Sequence, residues 1–385
     1  MKPENASSYI EIDRSLLRNN LSFVRSRLKE GVRLSVVIKG NAYGHGIGQI
    51  VPLLEAEGVR HFSVYGIEEA DDFHACASSE SQLMVMGYIH RDNVEILLDR
   101  GDEFFIYDLD QLKVVIAEAK KTKLTAKIHI EVETGMNRTG IDEKYFPELT
   151  KLLKENKDCL HLAGICTHFA GAESISNYYR VNKQISLFKK IVNHFEENGL
   201  RFETRHAACS AAMLRYPDTQ YDMVRSGILI YGFWPSRETL IDYITKRNLH
   251  KDPLTSILTW KSKVMTLKEV ESGEYIGYGT SYLANRKTKI AIVPIGYGYG
   301  YSRILSNQGR ALVNGHRVGV IGTVNMNMLT LDVTEVEGVE KGTEVVFIGN
   351  QGKHRISVAS FGEMSSQLNY EMLTRLPRNI PRLIK

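Results

Sequence analysis

Over its first two-thirds the chain sets short apolar runs between amphipathic, charge-rich stretches. The runs "LSVVIKG", "HFSVYG", "QLMVMGY", "EFFIYD", "AKIHIEVE", "HLAGICTHF" and "MVRSGILIYG" have the length of buried strands. Segments between them, such as "QISLFKKIVNHFEENG", repeat apolar residues at helical spacing, and the closing glycine suits a C-cap. Strand then helix, repeated about eight times, predicts a (β/α)8 TIM-type barrel of ~250 residues. A doubly wound sheet satisfies the same periodicity. Beyond about Trp234 the texture becomes β-rich with close turns, as in "ILTWKSKVMTLKEV", "ALVNGHRVGVIG" and "GTEVVFIGNQG". There Asn314-Gly315 predicts a type I′ hairpin. The later "VASFGEMSSQLNYEMLTRL" reads as helical. The expected organisation is an α/β barrel domain over residues 1–238 and a mostly-β domain over 239–385.

Composition narrows the function classes. A chain of 385 residues exceeds one ordinary core, so two domains are the default. Apolar content of 43% and a net charge of +4, with both signs interleaved, leave no basic stripe for nucleic acid or an anionic membrane. No apolar run reaches the length of a membrane span, and "MKPENASSYIEID" lacks a signal-peptide core, so a cytoplasmic location is expected. A soluble module of a longer membrane protein stays open as the alternative. Cys76, Cys159, Cys166 and Cys209 lack paired spacing and read as free thiols, with no metal site.

The stretch "VVIKGNAYGHG" carries the most chemistry. It ends an apolar run on Lys39, just before glycines, a tyrosine and a histidine. A free lysine at pH 7 is a protonated, poor nucleophile, so at a barrel mouth it must be paired, depressed in pKa, or bonded as a Schiff base to an aldehyde. Taken alone, such a lysine would simply extend its ammonium outward. The glycine spacing fits neither a P-loop nor a dinucleotide fingerprint, and His45 has no second ligand at a suitable offset. Lys39, Arg138, His168, Ser210 and Arg225 all fall where an apolar run gives way to a loop, which is where barrel enzymes keep their active sites.

"VVIKGNAYGHG" resembles the pyridoxal 5′-phosphate (PLP) lysine motif of alanine racemases, which are fold-type III PLP enzymes. "EVETGMNRTG", "GICTHFAGAE", "HAACSAAM", "VRSGILIYG", "GYGTSY", "PIGYGYG", "GTVNMNM" and "LNYE" follow in that family's order, so the resemblance spans nearly the whole chain. It implies racemisation of alanine, supplying D-alanine for peptidoglycan, by two bases on opposite faces of the α-carbon. These would be Lys39 and, from the partner of a homodimer, Tyr278. It further implies that His168 and Arg225 assist the tyrosine, with Arg225 facing the cofactor's pyridine nitrogen, and that Arg138 holds the cofactor's phenolic oxygen and the substrate carboxylate. Tyr43, Ser210, the amides of Gly227 and Ile228, and Tyr370 would hold the phosphate. Tyr297 and Met326 would line the substrate wall.

The chain also departs from the family pattern. Glu131 stands where a carbamylated lysine is common, and a direct Glu131–Arg138 pair is expected in its place. Thr323, Asn325 and Asn327 replace an arginine, a cysteine and an aspartate; Tyr299 replaces an acid, Cys209 an asparagine, and Glu173 an aspartate. Added asparagines suit a more polar substrate, so serine or broader racemisation is the alternative, although the retained Tyr370 favours alanine. A PLP-homeostasis protein would lack the second domain. A fold-type III decarboxylase would carry an acid in place of Arg225.

Overall fold

A computed structural model describes residues 5–365 and 369–385. Residues 366–368, inside the expected C-terminal helical stretch and including Leu368 of "LNYE", lie outside them. The described chain forms two compact units. Among the described residues one comprises 16–39 and 50–255; the other comprises 5–15, 40–49, 256–365 and 369–385.

The first unit is a barrel. Strand β1 (Ser8–Ile12) belongs to the other unit; the barrel strands are β2 (Arg33–Val37), β3 (His61–Val64), β4 (Gln82–Val85), β5 (Glu103–Ile106), β6 (Ala126–Glu131), β7 (Leu160–Cys166), β8 (Thr204–His206) and β9 (Met223–Ser226). They pair in parallel in the order β8-β7-β6-β5-β4-β3-β2-β9. Closure between β8 and β9 comes from a bridge between Cys209 and Arg225, with the Arg225 amide donating to the Ala208 carbonyl at 3.0 Å. This is the barrel of the two architectures the periodicity allowed. Seven strands coincide with the apolar runs; β8, "TRH", has too few residues to show a period. Of "MVRSGILIYG" only Met223–Ser226 is strand, and the rest is turn. Met84, Phe105, Cys166 and Met223, from four strands, form one interior cluster.

The second unit is mostly β: among the described residues nine strands pair in one path, and a tenth, His354–Ile356, pairs off that path with Glu344–Gln351. Strand β1 lies inside this sheet, antiparallel to Leu258–Lys263 and parallel to Arg382–Ile384. The Asn314-Gly315 turn joins Arg310–Val313 to His316–Ile321 with φ of 48° and 77°, the left-handed pair a type I′ turn requires. The C-terminal segment contains helices Val358–Ser365 and Asn369–Thr374. All four cysteines are free, and no helix among the described residues is long and apolar enough to cross a membrane.

Candidate active site

The C-terminal ends of the barrel strands carry the candidate side chains. Lys39 follows β2 directly after the buried Ile38. Its side chain keeps solvent access on one side while protein crowds the amine on the others. That crowding, then the charge of Arg138, pulls the amine below the usual lysine range; Glu69 opposes the shift and Arg225 adds to it.

Immediately after Lys39 the backbone turns left-handed. Gly40, Asn41, Ala42, Tyr43 and Gly44 all have positive φ, between 51° and 79°. Each non-glycine residue there is disfavoured by ~1–2 kcal/mol, so the turn needs outside support. Within the second unit it has three kinds. The Gly44 and Gly46 amides donate to the Gly40 and Asn41 carbonyls at 2.8 and 2.9 Å. Buried His45 places Nδ1 2.9 Å from both the Ala42 and Tyr43 carbonyls. Arg382 donates Nε and Nη2 to the Gly44 carbonyl at 3.0 and 2.8 Å. Burial brings the His45 pKa down to about 4, against the two carbonyl contacts that raise it. His45 is therefore a neutral structural donor, and among the described residues no cluster suits a metal ion.

Arg138 stands in the loop after β6. That loop is shaped by Glu133, whose carboxylate accepts the amides of Gly135, Met136 (2.7 Å) and Asn137 (2.8 Å). Arg180 clamps the Gly135 carbonyl from outside with Nε and Nη2 at 3.1 and 2.8 Å. The expected direct Glu131–Arg138 ion pair is not formed. Glu131 is buried in β6 while Arg138 projects from the exposed loop. Burial raises the Glu131 carboxyl, opposed by a hydrogen bond from Thr139 and by the charges of Arg225 and Arg138.

Arg225 lies within β9, not in the loop beyond it, and is buried. Its Nη2 donates to the Thr167 carbonyl at 2.9 Å and its Nη1 to the His206 carbonyl at 3.2 Å and to His206 Nδ1. His168, after β7, makes none of these contacts but feels their charge. Burial first, then Arg225, Arg138 and Lys39, push its pKa down to about 3, so its imidazole is neutral. Ser210 and Gly227 meet after β8 and β9. The Gly227 amide is 3.2 Å from Ser210 Oγ, and Ser226 Oγ is 3.1 Å from the same oxygen. Ile228 follows in the same turn.

The remaining candidates belong to the second unit. The rings of Tyr43 and Tyr370 lie 5.8 Å apart. Tyr278 is 74% exposed, and its carbonyl accepts from the Thr323 hydroxyl at 3.4 Å. Tyr297 and Met326 are bound to one another's loops: the Tyr297 amide donates to the Asn325 carbonyl at 3.0 Å and the Gly298 amide to the Met326 carbonyl at 2.8 Å. Met326 is 57% exposed and Tyr297 43%, so this wall faces outward on its own chain.

Sequence reasoning did not single out Glu133, Thr167, or the buried histidines His61, His129 and His206. The available signal was polar side chains placed inside otherwise apolar strands, as in "AKIHIEVE".

The alanine racemase N-terminal domain family matches residues 12–235 and the C-terminal domain family residues 257–384. An alanine racemase of Leptospira interrogans is 33% identical over 380 residues, covering 98% of this chain and 96% of its own. The crystal structure of a Bacillus anthracis alanine racemase with bound L-Ala-P superposes with a TM-score of 0.89 at 30% identity, covering 98% of this chain and 95% of that one. A Bartonella henselae alanine racemase with covalently bound pyridoxal phosphate gives 0.84 at 25% identity, covering 99% and 100%. This chain belongs to the alanine racemase family, and is an isomerase of the racemase type.

Proposed function

We propose that the chain interconverts L-alanine and D-alanine, with pyridoxal phosphate held on Lys39 and with Lys39 and Tyr278 of the partner subunit as the two bases. The observation that carries this reading is the place of Lys39 at the end of a barrel strand, where neighbouring strand ends bring the Ser210 hydroxyl and the Gly227 amide together.

The residues present fit that cofactor. Lys39 offers an amine for its aldehyde, and the Ser210 hydroxyl together with the Gly227 amide, which here donates to it, would supply metal-free donors to a phosphate. Arg225 offers a cation that cannot release its proton to a pyridine nitrogen. When bound, pyridoxal phosphate supplies the electron-accepting ring that makes an amino-acid α-proton removable at neutral pH.

The protein's share is proton handling and positioning. Lys39 Nζ takes a proton from the α-carbon on one face and returns it; burial lowers this amine below the usual lysine value. Tyr278 does the same through its phenol oxygen on the opposite face. Arg138 binds the substrate carboxylate, on a loop that Glu133 holds in shape. Tyr43 and Tyr370 serve the phosphate, and Tyr297 and Met326 border the substrate. A tyrosine lent by a second copy makes the active unit at least a homodimer, consistent with Tyr278 standing exposed on its own chain.

The test is loss of optical activity and α-proton exchange of L-alanine in D₂O by purified protein loaded with PLP. Racemisation should depend on Lys39, and Tyr278→Phe should slow abstraction from one enantiomer far more than from the other. Full activity of Tyr278→Phe in both directions would refute the two-base assignment. A kcat/KM for L-serine equal to or above that for L-alanine would reverse the substrate ranking.

A further inference from the structure

A line of buried hydrogen-bonding groups runs from Arg225 through the barrel interior. Arg225 Nη1 meets His206 Nδ1. His206 Nε2 lies 2.8 Å from His129 Nδ1, and His129 Nε2 lies 2.8 Å from Glu103 Oε2. The same oxygen is 3.1 Å from His61 Nε2. The five residues stand on β9, β8, β6, β5 and β3, and all are buried. Glu103 and His61 each open their strand, so the line leaves the mouth and ends near the opposite end of the barrel.

The direction of every proton in this line follows from its ends. Arginine only donates, so His206 Nδ1 must accept, and the His206 proton sits on Nε2. His206 then donates to His129 Nδ1, which places the His129 proton on Nε2, facing Glu103. A carboxylate that accepts from both His129 and His61 is ionised. Burial would raise the Glu103 carboxyl, but the two imidazole bonds outweigh it and hold it well below the usual range. His61 Nδ1 has no hydrogen-bond partner, as fits a bare lone pair; a second proton there would bury an unpaired donor. The line is thus a buried cation and a buried anion joined by two neutral imidazoles, all pointing their N–H groups the same way.

The surrounding packing accommodates it. Opposite His129 stands Gly164, where a Cβ would fall 2.2 Å from His129 Nδ1. The β6–β7 register shifts between Ile128 and His129, leaving Ala163 as the extra residue, and its carbonyl is held by the Thr204 hydroxyl at 2.7 Å. Phe105 packs beside both imidazoles and under the Arg225 guanidinium.

We propose that Glu103, seconded by His61, is a positioning residue for Arg225: it supplies the anion that fixes His129 and His206 as Nε2–H tautomers, so that His206 turns a lone pair toward the guanidinium. This rests on the reading above that Arg225 serves the bound cofactor. Glu131 is the other acid near Arg225, but it lies outside the line and its own carboxyl is raised by burial. An isolated buried arginine would be strongly unfavourable, and a counter-charge transmitted through polarised imidazoles offsets that without occupying the mouth.

The test is histidine-selective ¹⁵N NMR on the full chain with and without pyridoxal phosphate, combined with kinetics of the Glu103→Gln holoenzyme. The wild type should show neutral His206 and His129 with protons on Nε2. An imidazolium, or a proton on Nδ1, at either residue would overturn the proposal. Glu103→Gln keeps an acceptor oxygen and removes the charge. It should move the His129 N–H signal upfield and lower kcat about tenfold in both directions, ~1.4 kcal/mol of barrier, with KM little changed. An unaltered His129 signal together with an unaltered kcat would equally defeat it. If Glu103→Gln does not fold, the wild-type tautomers decide. The NMR reading needs no turnover, so a wild type with the expected tautomers but no racemisation sinks only the functional reading.

Discussion

The amide nitrogen of Gly227 stands 3.2 Å from the hydroxyl oxygen of Ser210, two groups that arrive from the ends of different barrel strands. Both are donors of the kind an anion recruits. Ser210→Ala should therefore weaken pyridoxal phosphate binding by roughly tenfold to a hundredfold, the loss of a charge-assisted hydrogen bond of ~1.5–3 kcal/mol. At saturating cofactor kcat should stay within about threefold of wild type. Cofactor titration by fluorescence measures this, and an unchanged affinity would remove Ser210 from the phosphate site.

Glu133 shapes the Arg138 loop by accepting from three consecutive amides. Glu133→Ala should free those amides to exchange and let Arg138 wander, raising KM for alanine more than it lowers kcat. Hydrogen exchange at residues 135–137 and steady-state kinetics read the two halves of that expectation.

The neutral histidines predict how acid acts on the cofactor-free chain. The pKa of His45 is about 4 and that of His168 about 3 in the folded protein, both below the ordinary value of 6.5. The unfolded chain therefore binds protons first as pH falls, so stability is full above about 6.5 and is lost toward pH 4. The slope is ~1.4 kcal/mol per pH unit for each such group. His45→Gln should flatten urea midpoints measured between pH 6.5 and 4 by about one proton's worth, while lowering stability at neutral pH.

Gly44 occupies the end of the left-handed turn at φ of 79°, and a Cβ there would come within 2.0 Å of the Leu373 carbonyl oxygen. Gly44→Ala should destabilise the fold by more than the ~1–2 kcal/mol of the backbone conformation alone. Equilibrium unfolding would show it, and a neutral substitution would mean the turn relaxes freely.

Much of this was readable in the sequence, for identifiable reasons. The Phe104–Ile106 part of β5 is an unbroken apolar run because parallel strands are covered on both faces, and Lys39, His168 and Ser210 stand out because each ends such a run. Thr204–His206 escaped because three residues with an exposed arginine in the middle show no periodicity. His129 escaped differently. It lies between Ile128 and Ile130, all three buried, so alternation cannot tell an inward histidine from an ordinary interruption. Its partners Glu103 and His206 are 26 and 77 residues away, and that proximity is set by barrel closure alone. The Glu131–Arg138 pair failed for the converse reason: seven residues in sequence say little about a loop whose course Glu133 dictates.

Strand β1 pairs with residues that lie far along the chain, Ser8 with Ser262 and Ile12 with both Leu258 and Ile384. During translation a chain elongated only to residue 250 has every barrel strand but leaves β1 with neither of its neighbours. The barrel strands can pair on the ribosome while β1 waits with both edges unpaired. Assembly of this sheet around β1 therefore waits until the segments Leu258–Lys263 and Arg382–Ile384 have both been made.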